Sequence, residues 1–248
     1  LATNLLFVFE GHIAKTDAFL LTTICLQQYI LFLIVLKNST EFKLKYLFPF
    51  FLWVTISIGV LVKGPLSLIV FFLTIFSFSL LKKDKYIISN TNPILGLVIM
   101  SLIILPWFLS IQSSTDGLFF QKAISEDFLS KLISGQESHG GYPGYYLTIS
   151  PFILWPIISF APISIFFVIK NKNNPAIQFL LCWIIPFWVV LELIPTKLFH
   201  YPLPVVPPLI MLIGASIIFF EKTRLNFLNN KIQHFIFFTS LIFGMGGF

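Results

Sequence analysis

The sequence predicts an all-α membrane protein, a polytopic bundle of about eight spanning helices. Three observations lead there. Of 248 residues, 57% are hydrophobic and only 10% charged, with a mean hydropathy of +0.92, whereas a soluble domain carries about 25% charged residues. The apolar residues come in unbroken runs close to the roughly 20 residues an α-helix needs to cross about 30 Å of hydrocarbon, which excludes a β-barrel, whose strands alternate in polarity. Finally, the basic residues gather in alternate loops, as cytoplasmic loops do.

Taken in order, residues 1–9 read as the tail of a cut helix. The chain starts Leu1-Ala2-Thr3 with no Met, basic n-region or small-residue cleavage site, so this segment is not a signal peptide. Spanning runs follow at 18–36, 46–62, 66–81, 94–111, 145–169, 177–194, 201–220 and 232–248, the last still apolar where the sequence stops. The whole chain, 1–248, reads as a single integral-membrane domain. Pro106, Pro151, Pro156, Pro162 and Pro186 fall inside the runs and are expected to kink helices whose freed carbonyls find neighbours in the bundle. Cys25 and Cys182 lie within apolar runs, as small buried hydrophobes do, and suggest no disulfide or thiolate metal site.

Charge sets the sidedness. One set of loops holds Lys37, Lys43, Lys45, Lys82, Lys83, Lys85, Lys170, Lys172, Lys222, Arg224 and Lys231 against Glu41, Asp84 and Glu221, a net +8. The intervening loops and their flanks hold Lys15, Lys63, Lys122, Lys131 and Lys197 against Glu10, Asp17, Asp116, Glu126, Asp127, Glu137 and Glu192, a net −2. The first set is therefore predicted cytoplasmic and the second outward. The overall +6 reflects membrane sidedness and implies no nucleic-acid partner. The cytoplasmic loops contain neither G-x-x-x-x-G-K-[ST] nor G-x-G-x-x-G, the usual marks of a nucleotide site.

Chemistry-bearing residues concentrate on the outward side. The connection 112–144 is too long for an ordinary turn. Within it Phe120, Ile124, Phe128 and Leu132 recur at spacing four, predicting a helix lying in the membrane interface. Lys122/Glu126 and Asp127/Lys131 are i,i+4 pairs, whose commonest role is to support a solvated helix face. The Gly- and Pro-rich stretch that follows carries Glu137 and His139, which have the donor chemistry for proton exchange or a divalent metal, although Glu-x-His by itself implies no resident cofactor. Asp17, Lys63, Lys197, His200 and Tyr201 sit at outward ends of runs, where a lone Lys most often snorkels. Converging, these groups would suit a substrate with a lipid tail and a phosphate head: lysines neutralise phosphate, while carboxylate and imidazole handle protons.

The motifs Ala14-Lys15-Thr16-Asp17-Ala18, Lys63-Gly64-Pro65, Leu105-Pro106-Trp107, Gly135-Gln136-Glu137-Ser138-His139-Gly140, Pro143-Gly144-Tyr145-Tyr146 and Lys197-Leu198-Phe199-His200-Tyr201 occur in an order that resembles bacterial membrane glycosyltransferases of the GT-C fold. The resemblance is to protein O-mannosyltransferases and the lipid A aminoarabinose transferase, and it covers nearly the whole chain. It implies inverting transfer of a sugar from a polyprenyl phosphate donor to a lipid, glycan or protein acceptor, on the periplasmic face of a bacterial inner membrane. It also implies catalytic roles for Asp17, Glu137 and His139, donor-phosphate contacts for Lys63, Lys131 and Lys197, and substrate contacts for Asp127, Gln136, His200 and Tyr201.

Departures from the family pattern are specific. The family's first outward loop, with its catalytic carboxylate, would precede Leu1, so the chain alone is expected to be inactive. Lys15 stands where relatives often have Arg, Phe199 where Pro is usual, and Gly141-Tyr142 where Ala-Pro is common. Two other readings remain open on sequence: a transporter or lipid flippase, and a truncated membrane protein without chemistry. Only Glu192 and Glu10 lie in or near apolar runs, and no inverted repeat is visible, which disfavours a transporter.

Overall fold

The computed structural model describes residues 4–13, 15–36, 43–116, 118–119, 141–222 and 238. These are helical almost throughout, with a lone backbone bridge at Thr196. The helices are α1 (Leu5–His12), α2 (Thr16–Leu36), α3 (Phe48–Lys63), α4 (Leu66–Lys82), the single turn α5 (Tyr86–Ser89), α6 (Pro93–Ser114), α7 (Tyr145–Ile153), α8 (Ala161–Lys170), α9 (Pro175–Leu193) and α10 (Val206–Lys222). The all-α membrane bundle expected from hydropathy is what the chain forms.

Local chemistry explains the boundaries. Asn4 caps α1 by accepting from the Phe7 N–H, and Asn174 caps α9 with Pro175 at its first position. The turn between α3 and α4 is Lys63-Gly64-Pro65: Gly64 takes φ +66°, which favours glycine, and its N–H closes on the Val60 carbonyl. Pro106 and Pro186 lie inside α6 and α9, which continue through them.

Among the described residues five helical stretches are long and apolar enough to cross a membrane: Thr16–Leu36, Lys45–Lys63, Tyr86–Ser114, Pro175–Leu193 and Leu203–Lys222. A bent pair makes six. That pair lies within the predicted run 145–169, where Pro151, Pro156 and Pro162 are expected to kink the helix. The chain there forms Tyr145–Ile153, then a short 3₁₀ segment Ile157–Phe160 leading into α8, with a bend of 107°. Hydropathy is continuous across it, but Pro156 has no N–H to carry the helical ladder and its ring obstructs the preceding turn. The predicted run 66–81 appears as α4, whose 17 residues are fewer than those of any of the five long stretches. The run 232–248, residue 238 apart, and residues 120–140 of the connection expected to hold the interfacial helix lie outside the described residues, so the expected count of about eight spans is not reproduced among those described.

Packing is lateral, α2 against α3, α3 against α6, α4 against α9, and α8 against α10. Phe179 of α9 fits edge-on between Phe32 of α2 and Phe78 of α4, with ring centroids 5.3 and 5.7 Å apart. Polar groups join α2 to α4 in the buried interior: Ser67 Oγ donates to Gln27 Oε1 at 2.7 Å, Gln27 Nε2 donates to the Ser67 carbonyl at 3.1 Å, and Gln28 Nε2 donates to Thr74 Oγ1 at 3.2 Å. Such bonds hold helices together where apolar burial against apolar lipid supplies little preference. The bundle thereby brings the N-terminus of α2, the α3–α4 turn and the α9–α10 connection to one end. The lysines at 45, 82, 83, 85, 170, 172 and 222 lie in the turns and helix ends of the other set.

Candidate functional site

At that end Asp17 occupies the first turn of α2 and Lys63 the last turn of α3, each placed favourably for its helix dipole. They form a direct ion pair between Lys63 Nζ and Asp17 Oδ1. Asp17 is buried, whereas the Lys63 side chain keeps 32% of its surface exposed. The lysine side chain therefore stays partly open at this end of the bundle. His200 and Tyr201, stacked edge-on with centroids 5.2 Å apart, close the other side.

Asp17, Leu20, Lys63, His200, Tyr201 and Pro204 line a small cleft of about 30 Å³. That volume admits one or two waters; sites for small molecules usually measure about 300 Å³ or more. A ligand at this end would lie over the cleft and reach these side chains from outside. His200 titrates below its ordinary 6.5 because burial disfavours the imidazolium. Asp17 opposes that effect and Lys63 reinforces it; more weakly, Glu10 opposes it and Lys15 reinforces it. A neutral imidazole beside an ion pair can accept a proton at near-neutral pH.

Glu10 of α1 extends the charged group. It is buried, pairs with Lys15 at 3.6 Å, and keeps its second oxygen, Oε2, without a hydrogen bond among the described residues. His12 turns away: it is exposed, with Nδ1 2.7 Å from the Val8 carbonyl oxygen of its own helix.

A second cluster forms where α7 meets the α9–α10 connection. The Glu192 carboxylate accepts from the N–H groups of Gly144 (2.9 Å), Tyr146 (3.4 Å) and Leu147 (2.9 Å). Lys197 donates to the carbonyls of Leu191 at 2.7 Å and Glu192 at 2.8 Å, and its Nζ lies 3.9 Å from Glu192 Oε2 and 5.2 Å from the Tyr146 ring centre. Its side chain is only 2% exposed. Burial holds the Lys197 pKa below its usual 10.5, an effect the Glu192 charge opposes.

Of the residues singled out from sequence, Asp17, Lys63, His200 and Tyr201 come together. Lys197 lies in the second cluster, with its ammonium committed to backbone carbonyls. Asp127, Lys131, Gln136, Glu137 and His139 lie outside the described residues. Sequence reasoning gave no role to Glu10 or to Glu192. The available signal for both was an acid in or beside an apolar run, with a lysine five residues on. Among the described residues no group of three His, Cys, Asp or Glu side chains could hold a metal ion.

Comparison with known proteins bears on this geometry. No protein-family model matches the chain, and no curated protein matches it either. Among solved structures, ArnT from Cupriavidus metallidurans bound to undecaprenyl phosphate superposes with a TM-score of 0.74 over 84% of this chain, at 18% identity. The matched residues have the fold of part of ArnT. The apo structure of ArnT gives a TM-score of 0.71 over 85% of the chain, again at 18% identity. In both cases the chain spans 37% of the length of the ArnT chain. The GT-C-like bundle expected from the order of motifs is thus met at the level of fold.

Proposed function

We propose that this chain forms part of an integral-membrane glycosyltransferase that draws its sugar from a polyprenyl phosphate carrier. One observation carries the reading: Asp17, Lys63 and His200, far apart in sequence, converge at one end of a bundle whose fold is shared with an ArnT structure holding undecaprenyl phosphate. Lys63, with part of its side chain exposed, would take the donor phosphate, and the outward segment carrying Asp127, Lys131, Gln136, Glu137 and His139 would complete the substrate surface.

In the reaction an acceptor hydroxyl attacks the anomeric carbon. Its oxygen forms the new glycosidic bond, and the bond from that carbon to the phosphate oxygen breaks with inversion. The polyprenyl phosphate leaves with the electron pair, and the hydroxyl proton passes to a base. Negative charge grows on the departing phosphate, so a lysine there stabilises the transition state more than the ground state. Asp17 and neutral His200 supply proton-accepting groups next to that lysine. The net charges of +8 and −2 on the two loop sets support an outward, periplasmic site in a bacterial inner membrane.

Binding of undecaprenyl phosphate to the purified protein in nanodiscs tests the reading. Lys63→Ala is expected to weaken binding about 10- to 100-fold, the loss of one charge-assisted contact of roughly 1.5–3 kcal/mol. Equal binding by the variant and the unaltered protein would remove Lys63 from the donor site. Sidedness is read independently: an impermeant thiol reagent should label a cysteine at Tyr142 from the periplasmic side and leave one at Asn173 unlabelled.

A further inference from the structure

The proposed chemistry uses neither Glu192 nor Tyr146, yet both are bonded more completely than the residues of the cleft. The first N–H groups of α7 and the last carbonyls of α9 have no partners within their own helices. Glu192, from α9, satisfies the former with both carboxylate oxygens, and Lys197, from the connection, satisfies the latter at Leu191 and Glu192. Each charge caps the helix end whose dipole favours it. The Tyr146 hydroxyl then donates to the Leu198 carbonyl at 3.0 Å and accepts from the Leu198 N–H at 3.1 Å. Gly141 N–H donates to the Pro195 carbonyl at 3.0 Å, and a Cβ at Gly141 would come 2.5 Å from Lys197 Cγ. The residue after Leu198-Phe199 is His200, in the cleft.

We propose that Glu192, Lys197 and Tyr146 form a positioning clamp that fastens α7 and the strand of chain entering at Gly141 to the 195–201 connection, and so holds His200 in register with Asp17 and Lys63. The clamp rests on the reading above only for the meaning of what it positions. Its geometry also gives Lys197 a different role from the donor-phosphate contact expected from sequence. Its ammonium has three hydrogens; two are taken by carbonyls, and the third direction is bounded by the Glu192 carboxylate and the Tyr146 ring. Glu192→Gln is a poor mimic, because an amide offers one acceptor oxygen and turns donors toward the α7 N–H groups.

His200 reports on the clamp, since its titration reflects its burial and the charges of Asp17, Lys63, Glu10 and Lys15 around it, with Tyr201 alongside. The test follows the histidine imidazole signals of the full protein in detergent micelles by NMR across pH, with the His200 signal assigned by its loss in His200→Gln. Tyr146→Phe keeps the ring and removes both bonds to Leu198. It is expected to raise the His200 midpoint toward 6.5 and to speed amide exchange at Leu198 about tenfold. Lys197→Met should do the same, and should also speed exchange at Gly144 and Leu147. An unmoved His200 midpoint in folded Tyr146→Phe would overturn the clamp and leave Glu192 as a local helix cap. Undecaprenyl phosphate binding is measured on the same samples. Failure of the unaltered protein to bind sinks the functional reading alone, and a static His200 with intact binding sinks the clamp alone.

Discussion

Two lysine–carboxylate pairs at one end of the bundle share their chemistry and differ in everything around it. Lys63–Asp17 joins two helix ends and little else: the lysine side chain is 32% exposed, and a histidine and a small cleft lie beside it. Lys197–Glu192 is enclosed, and its charged groups bond to backbone N–H and carbonyl groups of α7 and α9. A charge saturated by fixed backbone dipoles is held for geometry, whereas one with an open face can exchange partners. Ion pairing alone does not separate the two cases. The count of remaining bonds does.

The largest expected effect tests that contrast in stability. Lys197→Met leaves Glu192 without its counter-ion and two helix-terminal carbonyls without donors, and should cost about 3 kcal/mol, the range for breaking a buried pair. Lys63→Ala leaves the Asp17 carboxylate without its lysine but leaves the backbone carbonyls at the helix ends as they were, and should cost less, about 1–2 kcal/mol. Unfolding in detergent, followed by circular dichroism, compares the two; equal losses would erase the distinction.

Backbone substitutions sharpen it further. Gly141→Ala places a Cβ against a Lys197 stem that cannot yield, because its ammonium is fastened beyond the contact; overpacking of this kind costs about 1–3 kcal/mol. Gly64→Ala, in the turn beside Lys63, meets open space but places a side chain at φ +66° and ψ −147°, a region open essentially to glycine alone, at about 1–3 kcal/mol. The same unfolding measurement should show both substitutions destabilising, and amide exchange at Leu198 should speed up only in Gly141→Ala. A loose clamp would leave Gly141→Ala without cost.

A smaller effect concerns pH. The folded pKa of His200 lies below its unfolded value near 6.5 because burial disfavours the charged ring. The unfolded chain therefore binds more protons as pH falls through 6.5, so this residue's contribution to stability is present above that pH and is lost below it. The melting temperature of the unaltered protein should fall between pH 7.5 and pH 5 by more than that of His200→Gln. Parallel pH profiles would place His200 in water and outside the cleft.

The sequence was legible wherever the physics is local. Apolar runs located α2, α3, α4, α6, α9 and α10 to within a few residues, because spanning length and mean hydropathy suffice. Within 145–169 it marked prolines as kinks but not the 107° bend that forms there, since hydropathy and proline position do not fix an angle. The candidate site was legible in part: Asp17, Lys63, His200 and Tyr201 stood out as polar residues at outward helix ends. The destination of Lys197 was not legible, and neither was any role for Glu10 or Glu192.

By itself, then, the sequence determined that the chain is a bundle of membrane helices with its lysine-rich loops on one side and Asp17, Lys63 and His200 on the other. Tertiary structure alone decided which of those charges meet. The Lys63–Asp17 contact bridges 46 residues and Gly144–Glu192 bridges 48. In water an apolar stripe would reveal which face of each helix turns inward. Here lipid is as apolar as the core, so helices such as α2 and α6 are hydrophobic all round and their patterns leave rotation and partner open. The few buried polar side chains settle both, Gln27 with Ser67, Gln28 with Thr74 and Glu192 with the α7 N-terminus, because a polar group in hydrocarbon must find its mate.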